Sequence, residues 1–167
     1  AAHFDEVVGV DISEPMLEEA RRLDRSGGRI TFELNERPDL SRFEDDSFDL
    51  VYTDLVLQHL PPDLAEGYVR EFARVTRPGG VLVLGVPERV RATFKGLVFR
   101  FLPWPLVALA QKVLLRYPAP MRMHTLPASR LSELLPLSRT AASDRYWGGD
   151  HWEHRRHYVV VGTEDRA

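Results

Sequence analysis

The 167 residues predict an α/β fold, a mostly parallel sheet with helices on both faces and an antiparallel last strand. Three observations carry this. Apolar runs such as Val7–Val10 and Val81–Val86 lack polar alternation, which suits strands buried on both faces. Segments of helical period lie between them, and that order implies right-handed crossovers and parallel pairing. Two strand-like runs near the end, around a Gly148-Gly149-Asp150 turn, predict an antiparallel finish.

The elements follow in chain order. Glu6 to Asp11 is the first strand and ends in an acid. Ser13 offers an N-cap, Pro15 fits the first helical turn, and Met16, Leu17 and Ala20 form an apolar stripe. Ser26-Gly27-Gly28 is the expected end of that helix. Arg29 to Leu34 is a second strand, Asn35 to Ser47 a polar loop, and Phe48 to Tyr52 a third strand. Pro61 and Pro62 open a helix over Asp63 to Val75, where Leu64, Tyr68, Phe72 and Val75 recur near helical spacing. Arg77-Pro78-Gly79-Gly80 predicts a turn, and Val81 to Val86 a fourth strand. Glu88 to Tyr117 is expected to be helical, basic and apolar. Ser129 is expected to cap a helix reaching Leu135. Arg139 to Trp147 and His154 to Gly162 are the closing strands. With no repeat or linker, 1–167 is expected to be one domain: a core at 1–87, a helical insertion at 88–126, and a helix and hairpin at 127–167.

Several function classes are excluded. The formal net charge of −3 gives no basic field to attract nucleic acid. The absence of cysteine removes disulfides, thiolate nucleophiles and Cys-based zinc sites, and suits a cytoplasmic location. Gly96 to Leu115 is apolar, but Arg100 and Lys112 interrupt it and Pro103 and Pro105 break it, so two short amphipathic helices are expected instead of a membrane span. His151, His154 and His157, with Asp150 and Glu153, look like metal ligands. On a strand, positions 154 and 157 face opposite ways, so a polar hairpin is expected and no metal site.

Three ordered pieces carry a family resemblance. They are Val8-Gly9-Val10-Asp11-Ile12-Ser13, Asp45 to Leu60 around Phe48-Asp49-Leu50-Val51, and Ala73 to Leu84 around Arg77-Pro78-Gly79-Gly80. Together they resemble the class I S-adenosylmethionine-dependent methyltransferases, in the type 11 branch, whose fold is Rossmann-like. The resemblance covers Phe4 to Pro87. It implies S-adenosyl-L-methionine as cofactor, with Asp11 accepting the ribose hydroxyls and Ile12 packing on adenine. It implies a further adenine contact from Asn35 or from Asp39 and Leu40. Thr53, Asp54 and Leu55 would run beside the methionyl part, although Asp54 stands where relatives often carry Asn or Ser. His59 and Asp54 are the candidates for a general base. Asp11 and Asp54 are expected side by side at one sheet edge.

The family sheet runs third, second, first, fourth, fifth, seventh, sixth strand. The first strand and its glycine-rich loop have no counterpart upstream of Glu6, so a truncated domain that binds the cofactor weakly or not at all is expected. The 88–126 insertion would lie over the acceptor, which is expected to be a small molecule. The basic, apolar stretch 88–123 would suit peripheral membrane contact or a lipid-like substrate. Two other functions fit parts of this pattern: a non-catalytic remnant or partner-binding module, and a nicotinamide-dependent oxidoreductase that also uses Asp11.

Overall fold

Val7–Asp11 forms β1, Glu14–Leu23 forms α1 and Ile30–Leu34 forms β2. The computed structural model describes residues 3–90, 101–113, 123–146 and 152–162. The chain divides into two compact units, Ala1–Leu40 and Ser41–Ala167. In the first, β1 and β2 pair in parallel, from Val7 opposite Ile30 to Asp11 opposite Leu34. Ser13 occupies the N-cap position of α1, but its side chain makes no capping bond. α1 stops at Leu23, ahead of the glycine pair. The cause is Asp24, whose carboxylate accepts the Ser26 N–H at 2.7 Å and the Ser26 hydroxyl at 2.9 Å. Such an Asx turn competes directly with a further helical turn.

The second unit holds β3 (Phe48–Asp54), α2 (Pro62–Val75), β4 (Thr76–Val90), α3 (Trp104–Val113), α4 (Ala128–Leu134), β5 (Arg139–Tyr146) and β6 (Trp152–Val160). The sheet order is β3-β4-β6-β5. β3 and β4 are parallel, and β6 is antiparallel to both its neighbours. One sheet therefore follows the expected third-second order and the other the fourth-fifth-seventh-sixth order. Among the described residues β1 pairs with β2 alone and β3 with β4 alone, so each keeps one unpaired edge. The core of the second unit joins Leu82, Leu84 and Val86 of β4 and Val159 of β6 to Ala65 and Val69 of α2 and Leu131 and Leu134 of α4.

Four expectations need correction. Arg77 to Gly80 is not a free turn. β4 runs through it with a bulge, the register jumping from Phe48–Thr76 to Leu50–Val81, and Gly79 supplies the required φ of +79°. Glu88, Arg89 and Val90 are strand, not helix, because β6 continues beside them. Their charges are met there, Glu88 by Arg155 at 2.7 Å and Arg89 by Glu153 at 2.8 Å. Ser129 lies inside α4, and Pro127 holds the N-cap position. β5 and β6 pair antiparallel as expected, but β6 is not polar surface: it lies between β4 and β5, with Trp152, Glu153, His154 and His157 buried. His151, the Gly148-Gly149-Asp150 turn and much of 88–126 lie outside the described residues. Among the described residues no His/Asp/Glu group is placed to hold a metal, and no helix is long and apolar enough to cross a membrane.

Candidate functional site

The first unit gathers its expected ligand residues at the carboxyl ends of β1 and β2. The Asp11 carbonyl accepts the Asn35 N–H at 2.9 Å, which ties the two strand ends together. The Asp11 carboxylate accepts the Ser13 N–H through Oδ1 at 2.8 Å, which fixes its direction beside the start of α1. Its Oδ2 takes no hydrogen bond among the described residues. Ile12 is 71% exposed, an uncommon position for a large aliphatic side chain next to a strand end. Asn35 is buried, and its amide donates to the Asp39 carbonyl at 2.9 Å and to the Arg37 carbonyl at 3.4 Å. Asn35 therefore shapes the loop that carries Asp39 and the buried Leu40. The result is a fixed, solvent-facing carboxylate beside an exposed apolar side chain. That pair suits a ligand with vicinal hydroxyls on one part and a flat apolar face on another.

The second unit places Thr53, Asp54 and Leu55 at the carboxyl end of β3. Thr53 is buried, whereas Leu55 is exposed and has φ of +60°. A bulky non-glycine residue in the left-handed region is a backbone outlier of the kind found at ligand-binding turns. Asp54 is held from three sides. Tyr146 donates to Oδ1, while Tyr52 at 3.0 Å and Arg156 at 2.6 Å donate to Oδ2. The Arg156 guanidinium lies 4.5 Å from the centroid of the Tyr146 ring, adding a cation–π contact.

Strand register explains how these groups meet. Asp54 is opposite Gly85, Gly85 is opposite Arg156, and Arg156 is opposite Asp144. A Cβ on Gly85 would lie 2.0 Å from Asp54 Oδ1. The glycine therefore opens the path by which Arg156 reaches Asp54 across β4. Burial by itself would raise the Asp54 carboxyl, but the hydrogen bonds from Tyr146, Arg156 and Tyr52 and the charge of Arg156 outweigh it and hold the group below the usual carboxylate range. Burial, and then the hydrogen bond and charge of Asp54, push the Tyr146 phenol well up. Asp54 is thus an ionised, fully engaged carboxylate.

His59 closes the short 3-10 turn Leu57–His59 and is exposed. Its Nε2 lies 3.1 Å from Nε2 of the buried Gln58. Gly85, Tyr146 and Arg156 were not among the residues expected from the sequence. The one available signal was Arg155-Arg156 inside a strand, since buried cations require acids opposite them.

A family model described as methyltransferase domain matches residues 1–84. Demethylmenaquinone methyltransferase of Staphylococcus saprophyticus is 38% identical over 81 residues, covering 48% of this chain and 34% of that protein. The 27-O-demethylrifamycin SV methyltransferase of Amycolatopsis mediterranei is 37% identical over 110 residues, covering 55% and 39%. The chain thus spans about a third to two fifths of the length of these curated relatives. Among solved structures, a SAM-dependent methyltransferase from Methanosarcina mazei superposes with a TM-score of 0.72 at 18% identity, covering 95% of this chain and 83% of the other. At that identity the likeness establishes a shared fold.

Proposed function

Because the chain belongs to the methyltransferase domain family, we propose that it serves methyl transfer from S-adenosylmethionine to a small-molecule acceptor. The observation that carries this is the pairing of a directed Asp11 carboxylate with the exposed Ile12 at the end of β1. The residues fit the nucleoside: Asp11 has acceptor capacity for ribose hydroxyls, and Ile12 offers a surface for a flat base. Asn35 would keep the Asp39–Leu40 loop in place around that base. In the second unit, the left-handed Leu55 sets the path of the backbone where β3 ends.

The bound cofactor supplies an electrophilic methyl on a sulfonium sulfur. Asp11 and Ile12 would hold the nucleoside end of that cofactor, leaving its methyl to be taken up by an acceptor N, O or C. The leaving group is a neutral thioether, so the protein's main contribution is alignment. The acceptor's proton goes to solvent or to a base, and His59 is the group proposed for that task. Asp54, ionised and saturated with donors, is proposed to set the strand end in place. The two relatives named for methylation of small molecules support the acceptor class.

The test is an NMR titration of the chain with S-adenosylhomocysteine to millimolar concentration. Shifts at the amides of Asp11, Ile12 and Asn35, weakened about tenfold by Asp11→Asn, are expected. No shift at any of these positions would remove the proposal.

A further inference from the structure

A cavity of about 230 Å³ lies in the second unit where the strands meet the helices. Its walls are mainly apolar: Leu57, Ala65, Val86 and Leu126 are all buried side chains, and prolines 62, 87 and 127 stiffen the surround. It sits beyond the carboxyl end of β3, beside β4 where its parallel pairing with β3 stops. Leu57 and Gln58 follow the Leu55 turn, and Val86 and Pro87 follow Gly85, the register partner of Asp54. Crevices at that end of a parallel sheet are where such folds take ligands.

We infer that this cavity binds an uncharged ring compound of one or two fused rings bearing an N–H or O–H group, and that it is the methyl-acceptor pocket. Size supports the ring, since an apolar cavity of about 150 Å³ is already enough for benzene. Charge is addressed by Glu66 and Arg130. Both line the cavity and pair through two hydrogen bonds at 2.8 and 2.7 Å, Arg130 also meeting Glu133 and Glu66 also meeting Arg70, so this cluster carries no net charge to balance an ionic ligand; His124 is the other titratable side chain on the wall. The guanidinium plane held by that pair is a surface on which a flat ring stacks well.

The polar group on the ligand follows from Gln58. This buried amide lines the cavity, yet its Oε1 has no hydrogen-bond partner among the described residues, and a ligand donor would supply one. Gln58 also lies beside His59, so a donor group bound there stands next to the proposed base. The role as acceptor pocket rests on the methyltransferase proposal. The binding of a ring compound does not.

Indole, uncharged and carrying one N–H, is the probe, titrated into the full chain and followed by two-dimensional NMR. Saturable shifts are expected at the methyl groups of Leu57, Ala65, Val86 and Leu126. Thr125→Trp on the exposed rim and Ala65→Phe on the wall should each weaken binding about tenfold or more, and 1-methylindole should bind about threefold more weakly. The rim substitution touches an exposed residue, so it tests the site even where the wall substitution harms folding. Shifts that map elsewhere, fail to saturate, or persist unchanged in Thr125→Trp overturn the inference. S-adenosylhomocysteine added to the same sample separates the two proposals. Indole binding without shifts at Asp11, Ile12 and Asn35 keeps the ring site but removes its acceptor role. The converse pattern removes the ring site alone.

Discussion

Arg156 of β6 binds Asp54 of β3 by passing over β4 at Gly85, an Nη2–Oδ2 contact of 2.6 Å between residues 102 positions apart. The side chains are 24% and 14% exposed, so the pair is partly shielded from water. Removing one partner leaves the other charge poorly solvated. Asp54→Asn or Arg156→Ala is expected to cost about 2 kcal/mol, less than the roughly 3–5 kcal/mol of a fully buried pair. Urea unfolding measures it.

The same carboxylate predicts a pH dependence. Its folded pKa lies below its unfolded value, so its contribution is fully present above about pH 4 and is lost as pH falls through the folded value. The stability gap between the native chain and Asp54→Asn should stay level from neutral pH down to about pH 5 and shrink below about pH 4. A gap that widened on acidification would contradict the assignment.

Gly85→Ala tests the notch itself. Its Cβ would lie 2.0 Å from Asp54 Oδ1 and 2.9 Å from Tyr146 Oη. A loss of about 1–3 kcal/mol is expected from overpacking. In an Asp54→Ala background the obstructing carboxylate is gone, so the same substitution should cost much less. The double-mutant cycle reads that difference as a coupling energy.

His157 is 3% exposed, and its Nε2 has no hydrogen-bond partner among the described residues. Burial lowers its pKa, which the charge of Glu88 only partly offsets. The unfolded chain therefore takes up this proton first. Stability attributable to His157 is complete above about pH 6.5 and declines as pH falls from there toward the folded value. Between pH 7 and pH 5 the native chain should lose more Tm than His157→Gln. Equal losses in a thermal melt would count against it.

Ile12→Ser separates binding from folding. Because Ile12 is 71% exposed, its replacement should leave stability within about 0.5 kcal/mol. If Ile12 packs on the base of the ligand, affinity for S-adenosylhomocysteine should still fall about fivefold to tenfold. Calorimetry and thermal melts on one preparation give both numbers.

The strands at Val7–Asp11, Phe48–Asp54 and Val81–Val86 were legible because each is a short apolar run, and in those runs burial and sequence say the same thing. Asp11 was legible as the acid that ends such a run, whereas Asn35 was suggested by the family resemblance alone. β6 was legible as a strand but its burial was not, because Trp152-Glu153-His154-Arg155-Arg156-His157 looks like surface. It is buried because Glu88, Arg89 and Asp54 answer its charges from β4 and β3. Those partners are distant in sequence, so no local pattern reveals them. The Asp24 turn and the Gly79 bulge were missed for a smaller reason. Each is decided by one or two hydrogen bonds that place an element's end a few residues from where composition suggests.

The position of β6 has a consequence during synthesis. β5 emerges from the ribosome before β6, yet among the described residues its only sheet neighbour is β6. β4 likewise waits for residues up to Val160 before its second side is filled. At ~5–20 residues per second this leaves an apolar strand one-sided for several seconds. The nascent chain should therefore need shielding by a chaperone over that interval, and a ribosome stalled before Trp152 should display a half-built sheet.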